Sequence, residues 1–420
     1  MTRTTRRELL QASAAATLGS WLPFGNGSLA WGRNNLRDKR PVAAVVTEYR
    51  PNSHADVIVG KILEGFRQDG GQGPDLRLVS LYADQVPTSD ISRALADKHG
   101  FRLAKTIDEA ITLGTDQVQV AGVLSIGEHG HYPTTVETKQ LMYPRRRFFD
   151  EIVASFRRCG KSVPVFNDKH LAYRWEDASF MFDTARELKF PLLAGSSLPV
   201  AWREPTVELP RDCEIESAIS IGYGGLEAYG FHALEMHQCM IERRRGGEVG
   251  VASVQAVTGD GIREAEAQGR WSGELFLAAL KQMPGELKNT GAWVNHESSA
   301  AFLLQHQDGM KSAVLMANGL AAHFAFAVKL KGHPEPIATW FKLEESPPFG
   351  HFAYLVRAID SMIQTGRAPW PVERTLLTTG ILDRVMQSLA QSGKRIDTPE
   401  LNISYAAADW PFANRPVHDR

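Results

Sequence analysis

A doubly wound parallel α/β sheet followed by an α+β half with an open, mostly antiparallel sheet is the architecture this sequence predicts, and three observations carry it. Short apolar runs alternate with helix-period segments from Val42 to Leu193. From Glu214 to Leu330 the runs mostly alternate apolar with polar residues and are bounded by turn residues. The chain then closes on two amphipathic segments joined by TGRAPWP, residues 365–371. Strands buried on both faces read as continuous apolar runs, whereas half-exposed strands alternate, so the change of pattern marks a change of sheet. At 420 residues the chain exceeds one ordinary core. The boundaries that follow are a leader over 1–30, a first domain over 39–203 and an α+β domain over 204–420.

Lys plus Arg (47) nearly balance Asp plus Glu (48), so no basic field is available to hold nucleic acid. Cys159, Cys213 and Cys239 lack the CxxC spacing of a zinc ribbon or redox pair and allow one disulfide at most. In the leader, Arg6 and Arg7 precede Leu9, Leu10 and a small-residue apolar stretch, with Ser28, Leu29 and Ala30 as a small-x-small cleavage site. This is the pattern of a twin-arginine export signal. No cysteine near the cleavage site offers a lipid anchor, and no later run reaches the ~20 apolar residues of a membrane span.

The first strand is expected at Val42 to Val46. A Rossmann-like fold that binds a dinucleotide places GxGxxG directly after it, so that the backbone can approach a pyrophosphate at a helix N-terminus. Here the stretch is TEYRPNSHAD, without glycine, and Glu48 adds negative charge. Ser53 and Asp56 still have capping-box-like spacing ahead of the apolar face Ile58, Ile62, Leu63 and Phe66. Any dinucleotide would rely on side chains such as Arg50, Asn52 and Ser53. Asp84, after the second strand (Leu76 to Leu81), is placed to hydrogen-bond an adenosine ribose, or to act as a turn aspartate before Pro87. A central strand over Val118 to Ile126 runs into GEHGHYP, which gathers Glu128, His129 and His131 at a carboxyl-terminal strand end.

The stretch from Cys159 to Arg203 organises the rest. An apolar run, Val163 to Phe166, changes abruptly to Asn167, Asp168, Lys169 and His170; a helix with Trp175, Ala178, Phe182 and Ala185 follows, then a second run from Phe190 to Leu193 stopped by Gly195. Ligands of doubly wound sheets lie beyond the carboxyl ends of the strands, which puts Asp168, Lys169 and His170 on the functional edge. This order of GK, strand, acid-Lys, helix, strand and glycine resembles the Gfo/Idh/MocA family, the relatives of glucose-fructose oxidoreductase and inositol dehydrogenase, whose EKP tripeptide reads DKH here. The segment GGLEAYGFHALEMHQCMIE resembles that family's substrate-facing helix, with His232 matching its histidine, Glu235 the later acid, and Ala228 standing at the position of its first aspartate beside Glu227. The C-terminal helix pair resembles the family as well.

The resemblance implies an oxidoreductase that moves hydride from a sugar, glycoside or cyclitol hydroxyl to NAD or NADP. His232 would be the general base, Lys169 would hold the same oxygen, and Glu235 would orient the imidazole. Asn52, Ser53, Asp84 and Asp168 would serve the cofactor, and His129, His131, His170 and Glu227 the substrate. It also implies a homo-oligomer that pairs through the exposed face of the C-terminal sheet. Gly261 to Glu274 is expected to loop over or beside the site. Two other readings stand beside this one. His54, Glu128, His129, His131, Asp168 and His170 could converge on a divalent metal in a lyase or hydrolase, or the chain could be a silent carbohydrate-binding relative. The export signal predicts a mature N-terminus near Trp31. N-terminal sequencing of the exported protein checks this, and an intact Met1 on a purely cytoplasmic protein contradicts it.

Overall fold

Val42 to Val46 carry no polar side chain, and alternate residues of this run feed two different cores. The run therefore sits in the middle of a sheet covered on both sides. The computed structural model describes residues 39–285 and 290–414, so the export segment over 1–30 lies outside the described residues. From Arg40 onward the chain forms one compact unit.

The first half runs β1 (Arg40–Val46), α1 (His54–Glu64), β2 (Leu76–Ala83), α2 (Ser92–His99), β3 (Arg102–Leu103), α3 (Ile107–Thr112), β4 (Gly122–Ile126), α4 (Arg145–Cys159), β5 (Val165–Asp168), α5 (Trp175–Glu187) and β6 (Leu192–Gly195). All six strands are parallel in the order β3-β2-β1-β4-β5-β6. The order reverses between β1 and β4, the switch point at which such sheets form a crevice. Helices α3, α4 and α5 bury Ile111, Phe148, Phe149 and Met181 on one face.

The second half adds β7 (Trp202–Glu204), β8 (Ile215–Gly222), α6 (Ala228–Ile241), β9 (Val251–Val257), α7 (Asp260–Ala267), α8 (Gly273–Leu280), β10 (Ala300–His306), β11 (Lys311–Met316), β12 (Phe324–Leu330), β13 (Ile337–Lys342), α9 (His351–Thr365), α10 (Glu373–Ala390) and β14 (Ile396–Asp397). Its eight-stranded sheet has the order β14-β9-β10-β11-β8-β12-β13-β7, antiparallel except between β8 and β11. Helices α6 and α10 cover one face, where Phe302, Phe324 and Phe326 meet Phe231, Met236 and Leu377.

Several expectations need correction. Within Val118 to Ile126 only Gly122–Ile126 is strand, because Gln117 and Gln119 interrupt the buried positions Val118 and Val120. The segment Gly261 to Glu274 is not a loop at the site. It forms α7 and the start of α8, whose Ile262, Leu275 and Phe276, with Trp271, cover the second sheet on the side away from α6. The chain's own helices thus cover that face of the second sheet. Strand β7 draws Trp202 and Arg203 into the second sheet. Conversely α9, near the chain end, buries Phe352, Leu355, Ile359 and Met362 against α1 and β1 of the first sheet. Each such side chain contributes about 1.5–3 kcal/mol. Among the described residues no helix is long and apolar enough to cross a membrane, and all three cysteines are free.

Within the second half, a buried ion pair ties α10 to the end of α6. On α10, Arg374 donates from Nε to Oε2 of Glu242 (2.8 Å) and from Nη2 to Oε1, and Tyr405 donates to the same carboxylate at 2.9 Å. Both partners of this ion pair are buried. Arg374→Met is expected to cost about 3–5 kcal/mol, since it strands a buried carboxylate, and Arg374→Met with Glu242→Leu to recover most of the loss. Urea denaturation midpoints measure both.

Candidate active site

A cavity of about 480 Å³ opens between the two sheets. The N-terminus of α1 contributes Asn52 and His54, the turn after β4 Glu128 and His129, and the end of β5 Lys169. From the second half come Tyr229 and His232 of α6, Phe324 of β12, and Glu345, His351 and Phe352 before and within α9. Lys169 and His232, expected in one cleft, do share it.

Lys169 follows the last residue of β5 with φ of +63°, a left-handed conformation, and its N–H donates to Gly195 at 3.1 Å. This turns the side chain toward β4, where Nζ donates to Glu128 Oε1 at 2.7 Å. The other oxygen of Glu128 accepts from Arg145 Nη2 at 2.7 Å. Burial alone would raise the Glu128 carboxyl, but the charges of Lys169 and Arg145 outweigh it and hold the group well below the carboxylate range. Arg145 also donates to His170 Nε2 at 2.9 Å, which places the His170 proton on Nδ1.

Next to Lys169, Asp168 Oδ2 lies 2.7 Å from Nδ1 of His54. A carboxylate at that distance accepts the Nδ1 proton, so the Nε2 lone pair of His54 is available to the cavity. His129 accepts at Nδ1 from Arg50 (3.3 Å), and its buried Nε2 has no protein partner. Burial and then the nearby His54 push His129 down to about 4. His351 falls to about 3 from burial and then His54, and His232 is driven well below its ordinary value by burial and then Lys169. These three imidazoles are neutral at neutral pH. His232 Nδ1 is 2.6 Å from Ser196 Oγ, which itself accepts the Leu198 N–H.

Other expected site residues are placed elsewhere. Glu235 does not touch His232: it passes beneath Gly195 and accepts from Thr378 Oγ1 (2.7 Å) and the Ser196 N–H (3.3 Å). It orients the serine that meets the imidazole. His170 is buried beneath the cavity against Phe231, with ring centroids 5.2 Å apart. His131 is exposed, held through its backbone by Gln85. Asp84 accepts from Tyr82, Tyr132 and Arg147, leaving its carboxylate committed. Ser53 is wholly buried and caps α1 by accepting the Asp56 N–H. Asp168 pairs with His54. Glu227 accepts the Leu141 N–H at 2.8 Å, while the methyl of Ala228 lines the cavity. Among the described residues no three metal-ligating side chains converge: Glu128 and His170 are bonded to Arg145, Glu128 also to Lys169, His54 to Asp168 and His129 to Arg50, while His131 is exposed. Sequence reasoning gave His54 no role outside that set, and Glu345 and His351 none at all. The glycine-free TEYRPNSHAD stretch, which carries His54, was the signal for the first.

No family model matches the sequence, and no curated protein matches it. Solved structures share its fold. GenD2 from gentamicin A biosynthesis, in complex with NAD, is 14% identical with a TM-score of 0.53, covering 90% of this chain and 99% of that one. Apo scyllo-inositol dehydrogenase from Lactobacillus casei is 10% identical with a TM-score of 0.54, covering 86% and 98%. A probable dehydrogenase from Thermotoga maritima is 12% identical with a TM-score of 0.52, covering 86% and 99%. The chain thus has the two-sheet fold of inositol and sugar dehydrogenases, as its resemblance to the Gfo/Idh/MocA family implied.

Burial pushes the Glu227 carboxyl up to about 7, and its Oε1 has no protein partner. The unfolded chain releases this proton near its ordinary value of 4.5. Between these values the folded state keeps a proton that the unfolded state has lost, so stability falls as pH rises through the window. Glu227→Gln is expected to remove this slope and to stabilise the protein at pH 8 by at most about 3 kcal/mol. Denaturation midpoints from pH 4 to 8 test it.

Proposed function

We propose that this chain is an enzyme acting on a sugar or cyclitol, and that its cavity moves a proton at one carbon or hydroxyl of that ligand. The observation that carries the reading is one cavity that presents the Nε2 of His54, backed by Asp168, together with Nζ of Lys169, backed by Glu128. His54 is the general base. Lys169 binds the oxygen on which negative charge grows. His232, neutral and fixed by Ser196, hydrogen-bonds the ligand from α6. The fold likeness supports a polyhydroxylated ligand, and a cavity of about 480 Å³ is of the size that encloses a small molecule. The rings of Tyr229 and Phe324 offer apolar faces to its C–H groups.

The likeness to dehydrogenases and to GenD2 in its complex with NAD also supports hydride transfer to a nicotinamide cofactor. The residues at the carboxyl ends of β1 and β2 do not fit a dinucleotide there: Ser53 is buried, Asp84 is committed to three donors, and no glycine opens the turn. No step is therefore assigned to it. Action outside the cytoplasm, after twin-arginine export, is part of the same proposal.

Asp168→Asn is expected to lower kcat by about 10²–10⁴, because the amide no longer fixes the His54 tautomer, while ligand affinity changes little. Lys169→Met should weaken both. Turnover and calorimetric titration with inositols, monosaccharides and their keto forms read the two effects. A silent binder would bind the same ligands without any turnover for Asp168→Asn to lower.

A further inference from the structure

The crevice at the switch point is roofed by the chain itself. Leaving β4, the segment Gly127–Tyr132 runs back over the end of β1 to the end of β2. The carbonyl of Glu128 accepts from Thr47 Oγ1 at 2.5 Å. Gln85 holds both backbone groups of His131, at 2.9 and 2.8 Å. Tyr132 OH donates to Asp84 at 2.7 Å, and Arg147 of α4 pairs with the same carboxylate. Arg50, whose side chain is 38% exposed, joins His129 of this segment to Glu48. Thr47, Tyr49 and Ser53 have no exposed surface. Gly130, at φ of +94°, allows the crossing: a Cβ there would lie 2.8 Å from the Tyr132 ring.

A doubly wound fold lays a dinucleotide along this line, with its pyrophosphate at the first helix N-terminus and its ribose at the acid after β2. We infer that Gly127–Tyr132 takes that place, and that the cavity works without nicotinamide dinucleotide on a ligand that already carries a carbonyl. The ligand class rests on the function proposed above; the closed crevice does not.

The electrons then stay within the ligand. His54 Nε2 takes the proton from the carbon beside the carbonyl. The C–H pair becomes a C=C π bond, and the carbonyl π pair moves onto oxygen, where Lys169 holds it. Delivery of a proton to the same carbon from the opposite side by a water molecule, which then recovers one from His54, gives an epimer; return of the His54 proton to the former carbonyl carbon, with the neighbouring hydroxyl proton passing to the enolate oxygen, gives the isomeric carbonyl compound. No external oxidant or reductant takes part.

Full-length protein is denatured and its extract assayed for nicotinamide nucleotides, and folded protein is titrated with NAD, NADH, NADP and NADPH. Neither is expected to show binding at millimolar concentration. The same protein, in D₂O with 2-keto-myo-inositol and simple ketoses, is expected to place deuterium beside the carbonyl, with His54→Gln reducing the rate at least 100-fold. Close to one nucleotide per chain in the extract, or exchange that appears only when a dinucleotide is added, overturns the inference. Binding of the keto ligand without exchange overturns the acid–base step. Failure to bind any of these ligands sinks the sugar reading above, whereas absence of dinucleotide uptake still upholds the closed crevice.

Discussion

Glu128 is the group on which the site depends. It is a buried carboxylate shared between Lys169 and Arg145, each at 2.7 Å. Charges removed from water this completely persist only when they are paired and hydrogen-bonded, because desolvation costs several kcal/mol per ion. Glu128 therefore does two things at once. It keeps Lys169 extended from the end of β5 into the cavity, and it draws the turn after β4 inward, so that His129 faces His54 with ring centroids 5.4 Å apart. Removing the carboxylate would leave two facing cations, and the turn would lose its anchor on α4.

The site's polarity follows from that arrangement. Two cations meet at one carboxylate, while His129, His232 and His351 are held neutral by burial. The cavity thus meets a ligand with neutral imidazoles and one ammonium head, a combination that favours oxygen on which charge develops over oxygen already charged and solvated.

Much of this was legible in the sequence. The apolar runs located nearly every strand of the first sheet, and strand ends in such a sheet converge on one edge, which is why Lys169 and His232 could be assigned to one cleft although they lie in different halves. Helical spacing placed Glu235 beside His232, but Gly195 decided its position: a Cβ there would lie 2.4 Å from Glu235 Oε2, so the missing side chain makes room for the carboxylate below the backbone. Nothing local announces that. The ties between Asp84 and Tyr132 and between Gln85 and His131 span more than forty residues and carry no periodic signal. Helices α7 and α8 escaped because EAEAQGR reads as solvated surface, and their inward face rests on few positions, Ile262, Ala265, Leu275 and Phe276.

The return of α9 to the first sheet bears on the order in which this protein can fold. The outer face of α1 and β1 is covered by Phe352, Leu355, Ile359 and Met362, nearly three hundred residues further along the chain. While the ribosome is still making the second sheet, that apolar face has no partner, and domains whose cores close within a contiguous stretch do not share this exposure. The first domain reaches its final state only after almost all of the chain has been synthesised, so maturation is post-translational, and a chaperone that shields the α1 face has a defined interval in which to act.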